Sequence, residues 1–133
     1  MINCAMLYHV DYSSTIMLRT DASIVGMGVV LVNMYADGTE HVLWFLSRAF
    51  TSVEQCWSTI EQEAFAVFWA VTSLEHTLLG HPFIVETDHQ KLVFMCKSNT
   101  LKVVRWRLDL QAFQFVIWHI PGKENVVALG ATH

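Results

Sequence analysis

Leu18-Arg19-Thr20-Asp21-Ala22-Ser23 decides how this chain is read, because it has an echo at Val85-Glu86-Thr87-Asp88-His89. Each copy follows an apolar, strand-like run, Ile16-Met17-Leu18 in the first and Phe83-Ile84-Val85 in the second. Each puts an aspartate where a strand should end and a turn or helix begin. In α/β sheets, ligands gather at the carboxyl ends of parallel strands, so two strands ending in Thr-Asp can hold two carboxylates side by side. Close carboxylates repel unless a proton or a cation sits between them, and the simplest such cation is a hard divalent metal with oxygen ligands.

The chain has 133 residues, enough for one domain with a core. Hydrophobic residues make up 53%, with five Trp and eight Phe, which excludes a disordered chain. Uncharged runs such as 22–36 and 64–74 fall short of the roughly 18 residues that mark a membrane span. No basic region precedes an apolar stretch at the start, so no signal peptide is read. Cys4, Cys56 and Cys96 are odd in number and widely spaced; they fit neither a disulfide framework nor a zinc site and are expected to be reduced core thiols. The net charge of −4 argues weakly against a nucleic-acid partner, but five of the eight Lys and Arg (Lys91, Lys97, Lys102, Arg105 and Arg107) fall between 91 and 107. A local basic patch matters more to a phosphate backbone than the total does; the bland reading is a solvated helix face.

Working outward, residues 1–15 show no clean period and read as a lead-in. A first strand over 16–21 puts Met17, Arg19 and Asp21 on one face. A turn follows, then a second strand over 26–35, whose Gly26 and Gly28 suggest a bulge or a close backbone approach. Asp37-Gly38 supplies a hairpin turn. A third strand over 40–48, with Val42, Trp44 and Leu46 on one side, completes an antiparallel meander. The period then changes. Ser58-Thr59-Ile60-Glu61 is a capping box opening a helix to about Leu79, closed by Gly80 and followed by Pro82. Ala64, Val67, Phe68, Val71, Leu74 and Leu78 form its apolar stripe. Glu61 is explained by the cap. Glu63 lies one turn ahead of Val67, at the head of the stripe, and is either a site residue or a boundary side chain that snorkels out. The fourth strand, 83–88, follows this crossover and can lie parallel to the first, so that Arg19 and Glu86 pair across strands. Short helices over 89–96 and 101–112 come next, the latter with Val104 and Leu108 inward along with Phe113. A fifth strand over 113–120, a turn at Pro121-Gly122, and the start of a last helix over 126–133 end the chain.

The order β-β-β-α-β-α-α-β and the carboxylate order Asp21, Glu63, Asp88 resemble the ribonuclease H fold. The strings themselves resemble the ribonuclease H domain of gypsy-type LTR-retrotransposon reverse transcriptases: 18–23 with Gly26 and Gly28, 58–67, Leu79-Gly80-His81-Pro82-Phe83, Thr87-Asp88-His89, Arg105-Trp106-Arg107-Leu108 and 119–128. They cover nearly the whole chain in the right order. The resemblance implies an α/β, five-stranded mixed sheet of order 3-2-1-4-5 with helices on both faces and a truncated C-terminal helix. It divides the chain into a lead-in, 1–15, similar to the polymerase-to-ribonuclease H connection, and a ribonuclease H-like domain, 16–133. It also implies a polyprotein fragment whose polymerase lies upstream.

The same resemblance implies hydrolysis of the RNA strand of RNA–DNA hybrids with two Mg²⁺ ions, or Mn²⁺, about 4 Å apart. Asp21 would bridge both ions, and Glu63 and Asp88 would complete one shell each. Hybrid recognition would use shape and the 2′-OH, with Lys97, Lys102, Arg105 and Arg107 as backbone contacts, His89 orienting phosphate or capping its helix, and Trp106 in the core. The family pattern expects an aspartate after Val127-Ala128; this chain has Leu129, with Glu124 and His133 as the nearest substitutes. Activity is therefore expected to be reduced or lost. The alternative is a catalytically dead relic that folds or binds hybrid without cutting. An integrase-type core would place its glutamate last, whereas Glu63 lies between the aspartates. A purely structural domain leaves the paired Thr-Asp ends unexplained.

Overall fold

The computed structural model describes residues 2–87, 94–119 and 123–128. Alternating apolar residues build the centre of a sheet: β2 (Thr15–Ala22), β3 (Gly26–Met34) and β4 (Glu40–Ala49) form the expected antiparallel meander. The β3–β4 hairpin turns at Gly38, whose φ of 92° is accessible to glycine without strain. A register shift between Leu31 and Val32 skips Leu43, which is fully buried; strict alternation over 40–48 did not anticipate it.

Helix α1 (Ser52–Gln55) and helix α2 (Thr59–Ser73) each open on a capping box, Thr51 with Glu54 and Ser58 with Glu61. The second box was expected and the first was not. Ala64, Val67 and Val71 of α2, with Leu74 and Leu78 beyond it, are buried as the stripe required. The long helix expected to about Leu79 breaks at Leu74; one further turn, α3 (Glu75–Leu78), follows. Gly80 then takes a φ of 85°. Strand β5 (Phe83–Thr87) lies parallel to β2 with Arg19 opposite Glu86, and Arg19 Nε donates to Glu86 Oε1 at 3.1 Å, as the register predicted. Arg19 also reaches Glu40 of β4 with both terminal nitrogens, at 2.8 and 2.5 Å.

Residues 94–97 are helical, and α4 (Leu101–Leu110) follows. Its inward residues are Val103, Trp106 and Leu110; Leu108, expected inward, is 56% exposed. Two stripes one position apart fitted the same helical period, and the buried Trp106 decides between them. Strand β6 (Phe115–His119) runs parallel to β5, and β7 (Lys123–Ala128) pairs antiparallel with β6. Residues 126–128, expected to begin a helix, therefore continue a strand. Strand β1 (Ile2–Met6) pairs with β4, so the lead-in without a clean period carries an edge strand.

The described sheet has the order β1-β4-β3-β2-β5-β6-β7. Its middle five strands reproduce the expected 3-2-1-4-5 order. One core cluster joins Leu18 and Leu31 of the sheet to Val67 and Val71 of α2 and to Val103 and Trp106 of α4. The three cysteines are free, as expected, but all are exposed rather than in the core. Among the described residues, no helix is long and apolar enough to cross a membrane.

Candidate active site

Because β4 runs antiparallel to β3, and β3 to β2, strands β2, β4 and β5 all point the same way. Helix α2 connects β4 to β5, so its first turns start from the edge where β2 and β5 end. That topology puts Asp21, next to last in β2, and Glu63, five residues past the Ser58 cap, at one edge of the sheet. A local contact agrees with it: Ala66 of α2 packs in a small cluster with Met27 and Phe50, against which Ala22, the neighbour of Asp21, also lies.

Asp21 is exposed, and Glu63 is half-buried. Asp21 opens onto a cleft of about 450 Å³, whose lining includes Ser23, Gly28, Ser47 and Arg48. Asp21 is in register with Gly28, and Gly28 with Ser47. A Cβ at Gly28 would meet nothing within 4 Å, so this glycine keeps the floor beside Asp21 open. Gly26 does a different job: a Cβ there would lie 2.5 Å from the Arg48 carbonyl oxygen. The close approach expected of the glycine pair belongs to Gly26 alone. Among the described residues, the cleft lining contains no thiol and no imidazole. A larger cavity, about 640 Å³, lies where β2 and β5 begin, between Tyr12, Ile16, His81, Phe83 and Phe115. Among the described residues it is lined by no carboxylate, and it sits at the amino ends of the parallel strands, the wrong end for a ligand site of this sheet type.

Asp88, the third expected carboxylate, and His89 lie outside the described residues, as do Leu129 and His133. For Glu124, in β7, only the backbone is described. β5 is described to its last residue, Thr87.

The expected basic contacts divide. Lys97 and Arg105 are exposed. Lys102 pairs with Glu61 at 3.1 Å, and its ammonium sits 4.0 Å from the centre of the Trp57 ring. Arg107 donates to the Met95 carbonyl at 2.7 Å, tying α4 to the preceding helical turn. Burial opposes ionisation of Glu61, but the Ser58 N–H and Lys102 outweigh it and hold its pKa below the ordinary glutamate value. Glu40 is likewise held low, chiefly by its hydrogen bonds from Arg19.

Three features at this edge escaped the sequence reading. Glu54 accepts from Arg48 at 2.9 Å while capping α1. Gln62, buried, donates from its side-chain amide to the Glu54 carbonyl at 3.0 Å. Ser47 lines the cleft from β4. Thr51-Ser52-Val53-Glu54 has the same capping pattern as Ser58–Glu61 and could have been found by that signal; the other two carry none.

A family model described as an RNase H-like domain found in reverse transcriptase matches residues 11–113. The retrovirus-related Pol polyprotein from transposon 297 of Drosophila melanogaster is 38% identical over 120 residues, which is 89% of this chain and 11% of that protein. The chain thus spans about a tenth of the length of the curated relatives it matches. Among solved structures, a foamy viral protease-reverse transcriptase in complex with double-stranded DNA superposes with a TM-score of 0.69 at 18% identity, covering 90% of this chain and 26% of that one. The foamy viral protein in complex with an RNA/DNA hybrid gives 0.61 at 18% identity, covering 85% and 16%. At that identity the likeness is one of fold.

Proposed function

The chain belongs to the RNase H-like domains found in the reverse transcriptases of retrotransposons, and from that premise we propose that it hydrolyses the RNA strand of RNA–DNA hybrids at the Asp21 cleft. The observation that supports the reading is an exposed aspartate beside an open glycine floor, at the sheet edge from which the topology starts the helix that carries Glu63. The donors suit a hard divalent cation: Asp21 offers carboxylate oxygens, and among the described residues the cleft lining holds no thiolate or imidazole to favour a softer metal, only the weak thioether of Met27. Asp21 and Glu63 would hold such ions, with Asp88 joining them from the residue after β5. Mg²⁺ or Mn²⁺ bound there supplies Lewis-acid polarisation of the phosphate and a more acidic water.

The chain's own part is placement. Asp21 lines the cleft beside Gly28, where a Cβ would meet nothing within 4 Å, which leaves room for a phosphodiester. Glu63 is carried on a helix whose start is fixed by its capping box, so its position does not depend on a loop. Exposed Lys97 and Arg105 are free to meet the phosphate backbone, which supplies affinity but no sequence preference. A foamy viral protease-reverse transcriptase with a similar fold has been solved in complex with an RNA/DNA hybrid. Residues 1–15 are proposed as the connection to an upstream polymerase domain.

Leu129 favours a second reading, a domain that folds and binds hybrid without cutting. The test is cleavage of a labelled RNA–DNA hybrid in Mg²⁺ or Mn²⁺, with Asp21→Asn as the blank. Cleavage above the blank supports the nuclease. Cleavage equal to the blank, with hybrid binding retained, supports the inactive domain, and Leu129→Asp is then expected to raise activity. Neither binding nor cleavage would overturn both.

A further inference from the structure

We infer that Lys102 is a positioning residue for the metal-binding carboxylate Glu63, acting through Glu61, and not a contact to nucleic acid; this rests on the proposed reading of the Asp21 cleft. Glu61 is the third residue of α2 and uses both carboxylate oxygens. Oε1 accepts the Ser58 N–H at 3.1 Å, closing the capping box, and Oε2 accepts the Lys102 ammonium at 3.1 Å. The ammonium also lies over the Trp57 ring, at 4.0 Å from its centre. Trp57 in turn packs on Phe65 of α2 and on Trp106, which stands one turn after Lys102 on α4. Lys102 and Trp106 therefore form a two-point grip of α4 on the start of α2.

The other side of that turn is held from β4. Gln62 is tied to the Glu54 carbonyl, and the Glu54 side chain to Arg48. Glu63 is the next residue, between two fixed flanks. To meet a phosphate, Lys102 would have to leave both its carboxylate and its ring, whereas exposed Lys97 and Arg105 have no such cost. Proximity in sequence made all of these cations look alike; the contacts separate them.

The experiment uses the whole chain. Mn²⁺ binding is followed by titration calorimetry, and binding of a labelled RNA–DNA hybrid is followed without metal across a salt series. The variants are Lys102→Met, which keeps the apolar stem over Trp57, Lys102→Arg, which keeps the charge, and Glu61→Gln, which keeps a cap acceptor but loses the ion pair. Lys102→Met and Glu61→Gln are expected to weaken Mn²⁺ binding about three- to tenfold, the size of a partly exposed ion pair plus cation–π contact. Lys102→Arg should restore it, and the salt slope of hybrid binding should stay at the wild-type value. Unchanged Mn²⁺ affinity in Lys102→Met would overturn the inference. So would a salt slope reduced by about one, the signature of a lost phosphate contact. If the wild-type chain binds no Mn²⁺, the proposed function falls and this inference with it. If wild type binds and Lys102→Met binds equally, only the inference falls.

Discussion

Gly26→Ala and Gly28→Ala form a pair that the sequence does not tell apart and the structure does. A Cβ at Gly26 would sit 2.5 Å from the Arg48 carbonyl oxygen and 3.2 Å from the Ala49 Cα, both backbone atoms of the paired strand. Ordinary contact needs about 3.5 Å, so β3 and β4 would have to part by roughly 1 Å at this point. Two hydrogen bonds close the same corner, Phe50 N–H to the Val25 carbonyl and Ser23 N–H to the Gly26 carbonyl, each 2.8 Å. Overpacking costs about 1–3 kcal/mol and a weakened hydrogen bond about 1 kcal/mol more, so about 3 kcal/mol is expected. With 133 residues and roughly 2.1 cal/mol/K of unfolding entropy per residue, the melting midpoint should fall about 10 °C. Gly28→Ala meets no atom within 4 Å. It should be neutral or raise the midpoint by about 1–3 °C through a stiffer unfolded chain, while placing a methyl on the cleft floor and lowering hybrid cleavage. Circular-dichroism melts of both variants test this. A Gly26→Ala midpoint within about 2 °C of wild type, or a Gly28→Ala loss as large as that of Gly26→Ala, would refute the assignment of the two glycines.

Further outcomes follow from the charges. Arg19→Glu combined with Glu86→Arg should be less destabilising than Arg19→Glu alone by about 0.5–1 kcal/mol, read from urea midpoints; Glu40, the second partner of Arg19, should keep the double variant below wild type. A strictly additive pair would mean the two side chains do not interact. Glu40 and Glu61 both have pKa values lowered from 4.5 in the folded chain, so their stabilisation is complete above 4.5 and is lost as pH falls through the lower folded values. The melting midpoint should hold steady down to about pH 5 and then drop, and the drop should be shallower in Arg19→Met. An unchanged acid limb in that variant would count against the Arg19–Glu40 bond. Ser58→Ala should cost about 1 kcal/mol in urea unfolding through the lost cap; no loss would show that α2 does not depend on it.

What could be read in advance was whatever depends on local chemistry. Ser58 and Glu61 had to cap, Gly38 and Gly80 had to supply positive φ, and the shared Thr-Asp pattern fixed the parallel register that brings Arg19 to Glu86. What stayed hidden depends on contacts between distant segments. Residues 2–6 lack alternation, and only the free edge of β4 makes them a strand. Leu43 is buried because the β3–β4 register shifts, which no period encodes. Val126-Val127-Ala128 suits a helix as well as a strand, and the edge of β6 decides the outcome. The positions of Asp21 near the end of β2 and of Glu63 in the first turns of α2 were legible from strand ends and stripe position. Which cations were already engaged was not, since Lys102 and Arg107 find their partners on other elements or loops.

Acidic side chains from separate elements sharing divalent ions are the core of the proposed function. Titration calorimetry of Mn²⁺ into the wild-type chain, and into Asp21→Asn, Glu63→Gln and Asp88→Asn, tests this most directly. Binding in wild type that each substitution weakens by at least about tenfold, the worth of one lost charged ligand, is the predicted result. Binding that survives Glu63→Gln unchanged, or none in wild type, would contradict it.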